Sequence, residues 1–159
     1  NAAEADRNIK GGELAWHEIP GLGESSAAMI ALPQGRAATD PDEAPRLEYD
    51  FVVPATTDAQ IRLHLLPTLD TIGRGGVRIG VSVDGGAVRE LVMDLEPTGG
   101  AADTPGKRAW YDAVIQNRVV LTARTGRLLP GDHTIKVWRI DDNVILDRVE
   151  LEFNAANMD

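Results

Sequence analysis

LPGDHTIKVWRIDDNVILDRVELEF, residues 129–153, decides the fold class of this chain. Pro130-Gly131 is a turn pair, because proline presets φ and glycine accepts the left-handed region. Residues 133 to 140 then alternate with the period of two that a strand imposes, so Ile135 and Val137 share one face and Thr134, Lys136 and Trp138 the other. Asp141-Asp142-Asn143 are turn formers, and the pattern predicts a tight reversal there that closes a hairpin. Val144 to Phe153 runs back, with Val149, Leu151 and Phe153 on one side and polar residues interrupting the run, as in a partly buried strand. The architecture implied is antiparallel β.

The same period recurs upstream. Residues 46–53 set Leu47, Tyr49, Phe51 and Val53 against Glu48, Asp50 and Val52; residues 60–66 set Ile61, Leu63 and Leu65 against Arg62 and His64, and Pro67 stops that ladder because it has no N–H to donate. Val77, Ile79, Val81 and Val83 alternate with Arg78, Gly80 and Ser82, and Asp84-Gly85-Gly86 is a hairpin turn joining that strand to residues 88–95. Shorter strands are predicted over 14–19, 27–32 and 118–124, while residues 108–117 change to helical spacing through Trp110, Ala113, Val114 and Asn117. Residues 34–45 and 96–107 have the composition of surface loops. Residues 1–13 are polar and aperiodic and read as a flexible arm or linker, leaving 14–159 as a single domain. About eight short strands with one short helix point to an all-β, two-sheet antiparallel sandwich of jelly-roll type, with a closed barrel as the alternative.

Composition excludes several functions. Asp and Glu outnumber Lys and Arg by 25 to 16, and no basic run occurs, which disfavours nucleic acid and anionic membrane as partners. The absence of cysteine removes thiolate catalysis and cysteine-ligated zinc. No apolar run reaches the length of a membrane span and no leader pattern opens the chain, so a soluble protein, mature, cytosolic or excised, is expected.

Five ordered stretches carry a family resemblance: PGLGESSA at 20–27, LEYDF at 47–51, LPTLDTIGRGGVRIGVSVDGG at 66–86, Trp110 with Asn117, and PGDHTIKVWRIDDNVILDRVEL at 130–151. Together they resemble the C-terminal domain of glycoside hydrolase family 115, the xylan α-glucuronidases. That resemblance implies a β-sandwich of carbohydrate-binding-module type, non-catalytic, lying behind the larger domains that hold the catalytic machinery. It further implies a xylan-type or other uronic-acid-bearing glycan and the catalytic domain of the parent enzyme as partners, and an extracellular or periplasmic setting. The rival role is structural: packing against those catalytic domains, or forming a dimer interface, without binding glycan.

Sugar sites combine an aromatic face with carboxylates, amides and arginines that take hydroxyls and uronates. Trp138 beside Lys136 is the leading candidate, and the polar strand faces elsewhere add Arg62, His64 and Arg78; the same residues also read as an ordinary solvated sheet surface. Trp16, Trp110 and Tyr111 border loops and are candidates for a pocket rim, although a helical tryptophan at core spacing more often packs inward. Arg74, in a glycine-rich loop, has the fork to take a carboxylate. Paired carboxylates for glycosidase chemistry are available on paper among Glu48, Asp50, Asp84, Asp141, Asp142, Asp147 and Glu150, but so acidic a chain supplies such neighbours by composition alone. His17, His64 and His133 lack metal-ligand spacing, and Ser25 and Ser26 lack a nucleophile elbow. No cofactor is expected; a structural calcium held by loop oxygens is the one allowance, without EF-hand spacing to support it.

Overall fold

The alternating stretches fold as strands of two stacked antiparallel sheets in a computed structural model, which describes residues 1–69, 75–95 and 104–154. In chain order the strands are β1 (Arg7–Ile9), β2 (Ala15–Pro20), β3 (Ala27–Leu32), β4 (Arg46–Val53), β5 (Ala59–Leu65), β6 (Val77–Val83), β7 (Arg89–Met93), β8 (Val119–Arg124), β9 (Gly131–Arg139) and β10 (Ile145–Phe153), with helix α1 (Pro105–Gln116) between β7 and β8. One sheet runs β1-β4-β9-β6-β7 and the other β2-β3-β10-β5-β8, a sandwich and not a closed barrel. The predicted inward residues meet between the sheets: Leu47, Ile61, Leu63, Leu65, Ile79, Val81 and Val137 are all buried in one core, which Leu146 joins.

The hairpin expected at residues 133–153 does not form. Strand β9 pairs with β4 and β6, whereas β10 pairs with β3 and β5, so Asp141-Asp142-Asn143 is an arch that carries the chain from one sheet to the other. The arch is held by partners distant in sequence. The Asp141 carboxylate accepts from the backbone N–H of Arg78 (2.8 Å) and from its Nε (2.9 Å) and Nη2 (3.0 Å), and Asp142 accepts from the Gly35 N–H (2.6 Å). Asn143 takes the left-handed conformation the bend needs, at φ 62°. The Asp-Gly-Gly turn does make the predicted β6–β7 hairpin.

Residues 1–13 are not a flexible arm. Residues Ala2–Glu4 form a 3-10 turn capped by the Asn1 side chain, Ala2 is buried in the core with its carbonyl accepting from the Tyr49 hydroxyl (2.7 Å), and β1 pairs with β4. Alanine is small enough for the turn to lie against β3 and β10 with its methyl group in the core. Helix α1 begins three residues earlier than its spacing predicts, because Thr104 caps the Lys107 N–H (3.2 Å) and Pro105 occupies the first turn. It ends at Asn117, which is left-handed at φ 51°.

Candidate functional site

The outer face of the first sheet carries the site. Registers place Arg46 and Gly80 on either side of Trp138, and Glu48 and Ser82 on either side of Lys136. Trp138 is therefore held from two strands. Its Nε1 donates to the Ser82 hydroxyl (2.9 Å), and the Arg46 guanidinium lies over its ring at 5.1 Å from the centroid. Gly80 is required beneath it: a Cβ there would sit 2.8 Å from Val88 Cγ1 and 3.1 Å from Trp138 Cβ. The indole stays partly exposed, a fixed plate on a sheet surface.

Most charges on this face are paired with one another. The Glu48 carboxylate accepts from Arg7 Nε (2.7 Å) and Arg46 Nε (2.5 Å), and Arg7 also forks onto Asp50. Burial would raise Glu48, but the two guanidinium groups outweigh it and hold the carboxyl below the usual range. The Arg7 hydrogen bonds, reinforced by the Thr134 hydroxyl, hold Asp50 down to about 2. Both acids are thus ionised and engaged, and Lys136 has no ion-pair partner among the described residues. Lys136 is thus a cation without an ion-pair partner among the described residues, two positions from Trp138 on the same face of β9, in a chain of net charge -9. Arg46 also walls a surface hollow of about 470 Å³, where Lys10, Thr39, Asp42 and Glu43 supply further polar groups. The arrangement can stack an apolar ring face and hold an anion next to it.

The family model of the glycosyl hydrolase family 115 C-terminal domain matches residues 1–158. The chain belongs to that family. A family GH115 4-O-methyl-α-glucuronidase with specificity for decorated arabinogalactans superposes at TM-score 0.62 with 22% identity, covering 93% of this chain and 17% of that one. A family 35 carbohydrate binding module from Clostridium thermocellum superposes at 0.57 with 13% identity over 96% of both chains. A Podospora anserina β-(1,4)-mannanase of GH26-CBM35 type gives 0.59 with 14% identity, covering 97% of this chain and 27% of that one. The chain thus spans about a sixth of the length of the glucuronidase it resembles. Comparison with curated proteins finds no match. As the C-terminal domain of family 115, with the fold of a free-standing carbohydrate-binding module, it is a non-catalytic domain.

The other sequence candidates scatter over this family 115 domain. Arg62 and His64 lie on β5, in the opposite sheet, so they face away from Trp138. There Arg62 pairs with Glu152, and His64, only 5% exposed, sits with Nε2 3.3 Å from Glu150. Burial would raise Glu150, and His64 with the neighbouring arginines brings it below its usual value. Arg78 shares the Trp138 sheet but is committed to Asp141, whose hydrogen bonds raise its pKa. Trp16 is no pocket rim: it is 2% exposed, a core residue whose Nε1 donates to the Pro45 carbonyl (3.1 Å). Trp110 packs against the core from α1, while Tyr111 points outward at 61% exposure. Arg74 lies outside the described residues.

Sequence reasoning missed Arg46 and Ser82 as the partners of Trp138. Arg46 is the first residue of a recognised strand, but its registration with Trp138 depends on the β4–β9 pairing, which joins segments about ninety residues apart. Among the described residues no cluster of His, Asp or Glu is arranged to hold a metal ion, and no helix is long and apolar enough to cross a membrane.

Proposed function

We propose that this family 115 domain is an accessory carbohydrate-binding unit whose Trp138–Lys136–Arg46 face takes a uronic-acid-bearing glycan of xylan type. The sugar ring stacks on the exposed part of the indole, and its carboxylate pairs with Lys136, the ammonium left without a partner. That unpaired charge beside a clamped tryptophan is the observation that carries the proposal. The hollow walled by Arg46 gives a second stretch of the glycan a polar bed. In the parent enzyme the domain keeps decorated polysaccharide near the catalytic domains, in an extracellular or periplasmic setting. The related glucuronidase is specific for decorated arabinogalactans, which supports a decorated glycan as the ligand.

The test is affinity electrophoresis through gels containing glucuronoxylan, decorated arabinogalactan or undecorated xylan. Retardation by a decorated polymer that is lost in Lys136→Gln, a surface change that leaves the fold intact, supports the proposal. Equal retardation of wild type and Lys136→Gln in every gel, each measured against its own mobility in a polysaccharide-free gel, contradicts it.

A second reading has its own observation. Tyr111, Val114 and Ile115 form an apolar stripe on α1 at helical spacing, exposed by 61%, 53% and 66%. Such a stripe suits a domain that packs on the catalytic domains of a glycoside hydrolase or on a second copy. Weakened association of Ile115→Asp with the rest of the parent enzyme, without change in glycan binding, would favour that role.

A further inference from the structure

Edge strands β7 and β8 meet across the sandwich, and a hollow opens beside them on the side where both strands face the core. Register pairs Arg89 with Val81, which places the arginine on the inner face of its sheet, among aliphatic neighbours. Directly across the sandwich, β8 offers Ala123, paired with Ile61 of β5. One step along the strands Leu91 and Leu121 both pack against the core, but at the Arg89–Ala123 level there is only a methyl group and a side chain that leaves for solvent. The result is a slot of about 270 Å³, floored by Ile61 and Val81, with Ala123, Ser82 and Thr125 in its walls and Arg89 and Arg124 at its mouth.

Two properties distinguish this slot from a packing gap. None of its lining residues is acidic, in a chain where acids outnumber bases by 25 to 16. Of its two arginines, Arg124 pairs with Asp58 (2.7 Å), while Arg89 has no ion-pair or hydrogen-bond partner among the described residues. An inward-facing charge can serve to keep an edge strand from pairing with another chain. That role needs no hollow behind the charge and no absence of carboxylates around it. A hollow with an aliphatic floor, mixed polar and apolar walls and an uncommitted guanidinium at its mouth matches a ligand with a small apolar body and an anionic head, since arginine forks onto a carboxylate and the aliphatic floor takes the rest.

We infer that this slot binds a small carboxylic acid carrying a single ring or a short alkyl body, its carboxylate on Arg89 and its apolar part between Ile61, Val81 and Ala123. The volume lies just below the roughly 300 Å³ at which ligand pockets begin, which sets one ring with a short side chain as the upper size. The slot opens between the sheets and not on the Trp138 face, although Ser82 borders both, and it stands whether or not that face binds glycan.

The experiment is an amide NMR titration of the chain with hydrocinnamate, with hydrocinnamyl alcohol as the neutral isostere and phenethylamine as the cationic one. Saturable shifts are expected at Val81, Val83 and Ala123 with hydrocinnamate at millimolar concentration. Binding of the alcohol should be about tenfold weaker, the loss of one charge-assisted hydrogen bond, and the amine should not bind. Ala123→Leu, which fills the slot, should abolish the shifts. Arg89→Gln, at an exposed position that cannot unfold the protein, should bring the acid down to the affinity of the alcohol. Absence of saturable shifts, shifts confined to other residues, or equal binding of acid and alcohol would each overturn the inference.

Discussion

Gly23→Ala tests how the loop PGLGESSA is held to the sandwich. Gly23 sits at φ +81°, and a Cβ there would lie 2.3 Å from Oδ1 and 2.6 Å from Cγ of Asp147. That carboxylate cannot retreat freely. It is 4% exposed, at the register shift of β10, and accepts from the Glu24 N–H (3.1 Å) and the Ser25 N–H (3.3 Å). The left-handed conformation costs an alanine about 1 kcal/mol. Displacing the carboxylate forfeits two hydrogen bonds to a charged acceptor, each worth about 1.5 kcal/mol at these long distances. The sum, about 4 kcal/mol, is a large share of the ~5–15 kcal/mol that holds a domain folded, and lowers Tm by roughly 8–16 °C in a chain of this size. Urea denaturation of wild type, Gly23→Ala, Asp147→Ala and the double variant measures it. In the Asp147→Ala background the clash is gone, so the glycine change should cost only about 1 kcal/mol, a coupling of about 3 kcal/mol. Equal costs in the two backgrounds, or a cost below about 1 kcal/mol in the wild type, would refute the reasoning.

Three further outcomes are expected. His133 Nδ1 lies 2.8 Å from Asp84 Oδ2 and Nε2 lies 2.6 Å from the Leu129 carbonyl, so both nitrogens face acceptors; the Asp84 bond first, and the carbonyl second, raise its pKa. The stabilisation this gives is complete below the unfolded value near ~6.5 and is lost as pH rises through the folded pKa; NMR titration should show the raised value, and Asp84→Asn should move it back down. Arg139, 1% exposed, donates to the carbonyls of Ala37 (2.6 Å) and Arg36 (3.0 Å), so Arg139→Met should cost about 2 kcal/mol and accelerate amide exchange over residues 36–39. Ile115→Asp, at a position 66% exposed on α1, should change stability by less than about 0.5 kcal/mol in thermal denaturation of the isolated chain.

The strands were legible because each alternates over its own length: β4 and β6 begin and end where their patterns do. Their partners were not. Asp141-Asp142-Asn143 has the same turn chemistry whether it closes a hairpin or arches between sheets, and what selects the arch is the grip of Arg78 and Gly35, both remote in sequence. Ala2 went unrecognised as core because one buried methyl group leaves no periodicity. At the site, Trp138 and Lys136 follow from one strand's alternation, whereas Arg46 and Ser82 enter through neighbouring strands. Arg62 and His64 share a polar-face pattern with Trp138 and still lie on the other sheet, since alternation tells inside from outside but not which of two outsides.

The central claim is tested most directly by calorimetric titration of the chain with glucuronic-acid-decorated and undecorated xylo-oligosaccharides, repeated on a folded Trp138→Ala variant. The account predicts heat with the decorated ligand only, and its loss when the indole is removed. Equal binding of both ligands, binding that survives Trp138→Ala, or no heat from a folded wild-type chain would contradict it.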